Sequence, residues 1–309
     1  MNGPWRIRSA DAEQLLQRPL VMNLLSQAII SGLMTGAVYA LMGIGLVIVY
    51  RTSRILNLAH GESFAVAGIV AALATAHGLP AWLALVLASC ASIALSIAIY
   101  RLVLRPRAHW PMPALVLATL AVAFLMRGVM IALIGPDPVS FPAQVSGPPL
   151  RIAGGVLPLQ GLVLIVVSFT ASCAVAALLR FTFLGKQLLA TAENPAASQL
   201  LGINVERAQL LAFGISGALA GLSALLLVPL ISVDYQSGLP MTMRGFIAAA
   251  ISGMSPVVAI FSGFLLGLFE ATIGAYFGAL YQDPVMFGIL ILVALWQSRA
   301  IRFGGVRRA

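Results

Sequence analysis

Long apolar runs, separated by short polar stretches, fill the chain from about residue 24 to residue 298. A membrane-spanning helix needs about 20 predominantly apolar residues, so these runs are candidate spans. They cover residues 24–49, 62–76, 82–100, 113–134, 158–179, 208–231, 243–277 and 284–298. The pattern predicts an all-α, polytopic membrane protein with about eight transmembrane segments and no separate soluble domain.

Two of these segments do not fit a simple span. Residues 62–76 are short for a crossing, and residues 243–277 are too long for one. The longer segment contains Gly253-Met254-Ser255-Pro256, a sequence that breaks a helix. We therefore expect a broken helix near residues 50–62, and a re-entrant segment at 243–277 in which a half-helix, a turn and a second helix follow one another.

Composition supports a membrane location. Hydrophobic residues make up 61% of the chain and charged residues only 9%, whereas soluble domains carry about 25% charged residues. A lipid bilayer must therefore solvate most of the surface. Although the net charge is +9, the basic residues are sparse and separated by apolar runs, so we expect no nucleic-acid partner.

The distribution of basic residues predicts the orientation in the membrane. Twelve of them fall in loops or the C-terminal tail on one side of the predicted spans, and the loops on the other side hold only Arg151 and Arg244. Arg127 lies inside a span, and the three basic residues of the N-terminal tail would fall on the second side. Cytoplasmic loops carry an excess of Lys and Arg, which makes the first side cytoplasmic. These twelve are Arg51, Arg54, Arg101, Arg105, Arg107, Arg180, Lys186, Arg207, Arg299, Arg302, Arg307 and Arg308.

Three regions follow from this organisation. Residues 1–21 form a polar N-terminal extension, and we expect Met22 to be the native start. Residues 22–298 form the membrane domain, which includes a polar cytoplasmic loop at 180–207. Residues 299–309 form a basic cytoplasmic tail.

Polar residues inside the predicted spans are candidates for a transport path. The sequence Asn57-Leu58-Ala59-His60-Gly61-Glu62 follows a full span and precedes a short one, and a charge at the centre of a membrane helix costs about 2.5–3.5 kcal/mol. Interrupted helices often line pathways in transporters. The alternative is a polar corner at the cytoplasmic interface, with Glu62 capping the next helix. Arg127 and Glu270 also lie within spans and join Asn57, His60 and Glu62 as path candidates.

The sequence of the polar loop predicts a short amphipathic helix. Pro195 suits a first helical turn, with Glu193 or Asn194 as cap, and Gly202 suits the end. The candidate apolar face consists of Ala196, Ala197, Leu200 and Leu201. This face packs either on the membrane surface or the rest of the chain, or in a groove on a cytoplasmic partner.

Closely spaced glycines predict tight helix packing. The pairs Gly32/Gly36, Gly217/Gly221, Gly263/Gly267 and Gly274/Gly278 all have the spacing that lets helix backbones approach closely. Packing within the chain is the simpler interpretation, and a dimer seam is the alternative.

Four stretches resemble the permease subunits of branched-chain amino acid ABC importers, in particular the H-type permease. They are NLAHGE at 57–62, ATAENPAASQLLGIN at 190–204, GFLLGLFEA at 263–271 and LRPRAHWPMPALVLATLAVAFLMRG at 104–128. The resemblance implies ATP-driven uptake across the bacterial inner membrane. It also implies two cytoplasmic ATPase subunits, a homologous second permease and a periplasmic binding protein that docks on outer loops near 135–157 and 231–242. The segment from Glu193 to Gly202 corresponds to the ATPase-coupling segment.

Departures from the family pattern bear on the substrate. Leu58 stands where the family usually has Phe, the turn before GFLLG carries fewer glycines, and Gln297-Ser298-Arg299-Ala300 replaces a Pro-Thr-Gly end. Permeases for urea, short-chain amides and other amino acids share the architecture. A passive channel would need the same spans but no docking helix.

Enzyme signatures are weak in this chain. Gly214-Ile215-Ser216-Gly217 matches the motif of intramembrane serine proteases, but all three histidines precede Ser216 rather than following it. The sequence contains no His-Glu-x-x-His, and Gly185-Lys186 lacks the flanking residues of a P-loop. We therefore expect a transport subunit with no enzymatic activity, cofactor or metal site, which depends on partner chains for ATP hydrolysis.

Overall fold

A computed structural model describes the backbone of residues 9–304 and the side chains of residues 23–191 and 193–296. The predictions for residues 1–8 and 305–309, and those for the side chains of the extension and the basic tail, lie outside this part of the chain. The helices are α1 (Ser9–Ser53), α2 (His60–Ala76), α3 (Ala81–Ala98), α4 (Met112–Ile134), α5 (Leu159–Phe181), α6 (Phe183–Glu193), α7 (Pro195–Leu200), α8 (Val205–Leu227), α9 (Gly238–Ile251), α10 (Pro256–Phe277) and α11 (Gln282–Gly304). One antiparallel hairpin, β1 (Leu150–Ile152) with β2 (Gly155–Leu157), joins α4 to α5.

The polytopic helical fold is confirmed, whereas the count of eight spans is not. Within the described residues, seven helical segments are long and apolar enough to cross a membrane. They are Asn23–Ser53, Ala81–Arg107, Met112–Ile134, Leu159–Phe181, Val205–Leu227, Pro256–Phe277 and Ala279–Trp296. The predicted span at 62–76 is the shorter helix α2, and the long segment at 243–277 divides into the shorter α9 and the full-length α10.

Both predicted helix breaks are present. The chain leaves α1 at Ser53 and is non-helical until His60, and Arg54 has a positive φ of 59° at the start of this break. Between α9 and α10, Gly253 and Met254 have φ values of 58° and 59°, and Pro256 then occupies the first turn of α10. A left-handed pair of residues followed by proline ends one helix and starts the next within a few residues.

Helix α1 is the centre of the bundle, and α10 approaches it through glycines. The membrane-spanning part of α1 is 83% buried. A Cβ atom on Gly32 would lie 2.7 Å from Leu268 Cα, and one on Gly36 would lie 2.8 Å from Phe264 Cα. On the facing helix, a Cβ atom on Gly267 would collide with the backbone of Gly36. Two of the glycine pairs thus face each other within the chain, which supports packing within the chain for these two pairs.

The two ends of α1 lie beside different loops. At its C-terminal end, a cavity of about 320 Å³ is lined together by Arg51, Arg54, Glu193 and Met254. At its other end, the side chain of Gln27 bonds to Val156 in the hairpin. Two of the predicted cytoplasmic loops therefore meet at the same end of α1, and the side of the membrane on which this end lies stays a prediction.

We predict that Gly267→Val destabilises the bundle strongly, because the added methyl groups meet backbone that cannot move away. Overpacking of this kind costs about 1–3 kcal/mol where side chains can adjust, and we expect the upper end or more here. The measurement is the thermal unfolding midpoint of the purified protein in detergent. Gly288→Val on α11 is the matched control, since nothing lies within 4 Å of its Cβ position. Equal midpoints for the two variants would show that the seam is not tight.

Candidate functional site

The two short helices, α2 and α9, meet end to end inside the bundle. The backbone N–H of Gly61 donates to Thr242 Oγ1 at 2.7 Å, and the same hydroxyl reaches back to the carbonyl oxygen of Gly238 at 3.3 Å. Gly61 and Gly238 have no side chain, and a Cβ on either would collide with the opposite helix. This contact, which we call the polar junction, brings two helix N-termini and their partial positive charge together.

His60 and Asn57 are part of the polar junction. The His60 ring is fully buried, its Nδ1 lies 3.0 Å from Ser216 Oγ on α8, and its other edge lies beside Gly45 on α1. Asn57 Oδ1 accepts a hydrogen bond from the N–H of Ala59 at 3.1 Å, which shapes the turn into α2. Asn57 and His60 are therefore buried inside the bundle.

Glu62 is held near Arg127 by a long ion pair. Its carboxylate is fully buried, and Arg127 Nε lies 3.5 Å from its Oε1 without hydrogen-bond geometry. The guanidinium also makes one long hydrogen bond, of 3.5 Å, to the carbonyl oxygen of Gln236. The structure thus pairs two of the candidate path residues, although loosely, and joins α2 to α4.

Several buried polar atoms at the junction have no hydrogen-bond partner. Within the described residues these are Asn57 Nδ2, His60 Nε2, both Glu62 carboxylate oxygens, Ser63 Oγ and Arg127 Nε. Buried polar atoms are nearly always bonded to protein or water in native structures. A concentration of them at one point is typical of an interior that holds water or a polar solute.

Glu270 belongs to a second polar group, formed by α9, α10 and α11. Arg244 donates to Glu270 through Nε at 2.9 Å and through a terminal nitrogen at 2.8 Å, and the same terminal nitrogen donates to Asp283 at 2.8 Å. The sequence-based placement of Arg244 in an outer loop is wrong, because it lies within α9 with a side chain only 15% exposed. Pairing with two carboxylates offsets the free-energy cost of burying the Arg244 guanidinium.

The short helix predicted in the polar loop is present as α7, between α5 and α8. Asn194, rather than Glu193, is the cap: its side chain accepts from the N–H of Ala197 at 3.0 Å, while Glu193 is the last residue of α6. Pro195 occupies the first turn, and Gly202 has a φ of 79° just beyond the end. The apolar residues of α7 are exposed, with Leu200 at 90%. Helix α6 was not predicted.

Sequence reasoning missed four residues of these groups: Ser216, Thr242, Arg244 and Asp283. Ser216 was considered only as part of a protease-like motif, and sequence order was no guide to its distance from His60. The two are hydrogen-bonded but fully buried, and His60 Nε2 has no partner among the described residues, so no carboxylate orients the ring. The described side chains contain no group of three His, Cys, Asp or Glu that could hold a metal.

Apolar spans around a buried polar interior with interrupted helices define a membrane transport protein. The family described as "Branched-chain amino acid transport system / permease component" matches residues 28–295, and the chain belongs to this family. Together with the seven apolar helices, this makes it a multi-pass protein of the bacterial inner membrane.

Two named relatives are similar over most of their length, and a third over half of it. The high-affinity branched-chain amino acid transport system permease protein LivH of Salmonella typhimurium is 28% identical, across 87% of this chain and 92% of the relative. BraD of Pseudomonas aeruginosa, which has the same description, is 31% identical across 89% and 94%. The autoinducer 2 import system permease protein LsrC of Escherichia coli is 29% identical across 60% of this chain and 50% of its own length.

We predict that Arg244→Leu destabilises the protein by about 3–5 kcal/mol, because it leaves the buried Glu270 carboxylate without its cation. Arg244→Lys should recover part of this loss. The measurement is the free energy of unfolding in detergent micelles. Arg105→Leu is the control, since its pair with Glu206 is 54% and 42% exposed and such pairs contribute about 0–1 kcal/mol. Similar losses for the Leu variants at 244 and 105 would contradict the prediction.

Proposed function

We propose that this chain is the permease subunit of an ATP-binding-cassette importer that moves branched-chain amino acids across the inner membrane. The observation that carries the proposal is the polar junction, an interior of unpartnered polar atoms between two interrupted helices in a chain of this family. The substrate class follows the names of LivH and BraD, which match nearly the whole chain. The chain itself carries out no chemical step.

The translocation path in this proposal runs along the junction residues Asn57, His60, Glu62 and Arg127, with Glu270 on the neighbouring polar group. Buried polar groups that face lipid would cost several kcal/mol each, whereas groups along a wet path are solvated during transport. Among Glu62, Arg127 and Glu270, the three charged path candidates, only Glu62 has no side-chain hydrogen bond within the described protein.

Partner chains complete the importer. We propose two cytoplasmic ATPase subunits, a homologous second permease beside this one, and a periplasmic binding protein on the outer loops. Those loops are joined in the structure, since Val139 and Val233 pair as an isolated antiparallel bridge with N–H to carbonyl distances of 2.8 Å.

The ATPase contact in this proposal is α7. Its exposed apolar residues, Ala196, Ala197 and Leu200, project from the face that carries the predicted cytoplasmic loops. A short helix with an apolar face binds well in a groove on a partner. A passive channel would have no use for such a helix, and this favours the ATP-driven importer.

The substrate can be tested by reconstitution with the ATPases, the second permease and the binding protein in proteoliposomes. We expect ATP-dependent uptake of leucine, isoleucine or valine. Urea, acetamide and autoinducer 2 are the comparison solutes, the last because LsrC matches part of the chain. Uptake of one of these in place of the amino acids would move the assignment to another branch of the family, and ATP-independent flux would indicate a channel.

We predict that Glu62→Leu lowers uptake at least about tenfold while the protein still inserts in the membrane. The substitution removes a carboxylate from the polar junction and leaves the Arg127 guanidinium with its long bond to Gln236 and its contact with the Phe124 ring, but without a nearby anion. Glu62→Gln should lose less, because it keeps a polar side chain of the same shape. Uptake and membrane level are measured together, and normal uptake by the Leu variant would remove Glu62 from the path.

We predict that Ala197→Arg abolishes ATP-dependent uptake and reduces co-purification of the ATPases. A charged, bulky group at the centre of the exposed apolar face cannot enter an apolar groove without loss of solvation. Ala197→Ser is the control, since it adds one small polar atom at the same place. A fully coupled Arg variant would show that α7 is not the docking site.

A further inference from the structure

A cavity of about 210 Å³ lies between α4, α9 and α11, beside the polar junction. Arg127 lines it beside Gln236, just before α9 begins, whereas Arg244 and Asp283 line it about two helical turns further along. Apolar side chains of α9 and α11 complete the lining. Sequence reasoning gave no sign of it, because its walls come from three separate helices. Such a lining, with both charges and apolar surface, suits a small molecule that carries a positive group, a negative group and an apolar part.

The guanidinium group of Arg127 lines this cavity and has hydrogen-bond donors without a close acceptor. Its Nε is buried without a hydrogen bond, and its one hydrogen bond, to Gln236, is 3.5 Å long. The flat guanidinium group donates two parallel hydrogen bonds to a carboxylate. A carboxylate in the cavity would therefore gain two short bonds that Glu62, at 3.5 Å and out of line, does not make.

Asp283 presents the opposite charge. Its side chain is 67% exposed, and it shares the Arg244 guanidinium with Glu270, so two carboxylates compete for one cation. This part of the cavity carries excess negative charge. An ammonium group, with three donors, suits such a place.

The wall between the charged groups is apolar. Leu239, Met243 and Phe287 line it, and the flexible Met side chain adapts to branched aliphatic groups of different shapes. A cation at one end, an anion at the other and an apolar wall beside them match a zwitterionic amino acid with an aliphatic side chain.

The cavity must open on water or protein rather than on lipid. Residues of α4 and α11 line the cavity beside those of α9, and most residues of the apolar parts of α4 and α11 are not buried in the bundle. Arg and Asp side chains that line such a cavity would be costly in contact with hydrocarbon. The cavity therefore faces the wet path or the second permease.

We propose that this cavity is a transit site for the amino acid, with the substrate carboxylate on Arg127, the ammonium group on Asp283 and the side chain against Leu239, Met243 and Phe287. The site rests on the proposed function, which it deepens by assigning a place for the substrate within this chain. It also gives Arg127 a direct role in binding, in addition to its pairing with Glu62.

The test measures leucine transported per ATP hydrolysed by the reconstituted importer. Arg127→Gln and Asp283→Asn should each lower this ratio at least about tenfold, while stimulation of ATP hydrolysis by the loaded binding protein stays near the unmodified level. Met243→Trp fills the cavity without changing a charge and should have the same effect. The controls are Arg101→Gln, an exposed arginine, and Val166→Trp, a 54% exposed position on α5; neither residue lines this cavity.

The outcomes separate the two proposals. If the unmodified importer takes up no branched-chain amino acid, the proposed function fails, and the transit site fails with it. If it transports leucine and all three cavity variants keep the ratio of the controls, only the transit site is overturned. Parallel loss of ATPase stimulation and uptake would also overturn it, because the cavity residues would then act in coupling rather than in binding.

Discussion

The close approach of α10 to α1 is the contact on which the rest of the fold depends. Since Gly32 and Gly36 lie against Gly263 and Gly267, the two helix backbones touch, and most of the membrane-spanning part of α1, within Asn23–Ser53, is buried. Lipid chains are as apolar as leucine side chains, so membrane helices associate through close packing and polar contacts rather than through the hydrophobic effect. A buried α1 then offers a protein surface, instead of lipid, to the shorter helices.

The short helices can exist inside the bundle only because of that surface. A helix end in hydrocarbon exposes unbonded backbone groups at a cost of several kcal/mol each. The structure avoids this cost where α2 meets α9, because the N–H of Gly61 donates to Thr242 and the N–H of His60 donates to the carbonyl oxygen of Asn57. The side chain of Asn57 closes the entry turn. His60 fills the space beside Gly45. The polar sequence at 57–62 is thus required by the helix break itself, and the same break supplies the unpartnered atoms of the candidate path.

Local sequence predicted the elements better than the contacts between them. The breaks at Arg54 and at Gly253-Met254, and the start of α7 at Pro195, follow from turn and capping chemistry within a few residues. The partnership of Arg244 with Glu270 and Asp283 could not be predicted, since it joins three helices and no spacing along the chain encodes it. Charge counting placed Arg244 outside the membrane because it stands at the very start of the predicted segment 243–277, where an arginine is more often a loop residue than a buried partner of two carboxylates.

The strengths of the polar contacts indicate which parts of the bundle are held and which are free to move. An importer alternates between states that lie within a few kcal/mol of each other. Arg244 ties α9, α10 and α11 together with hydrogen bonds of 2.8–2.9 Å. Helix α4 is attached to the polar junction by a 3.5 Å ion pair and by the bond from the N–H of Leu58 to Thr119 at 3.1 Å. Displacing α4 from α9 therefore breaks fewer and longer bonds than separating α9 from α10, and such a displacement would change the width of the cavity between α4 and α11.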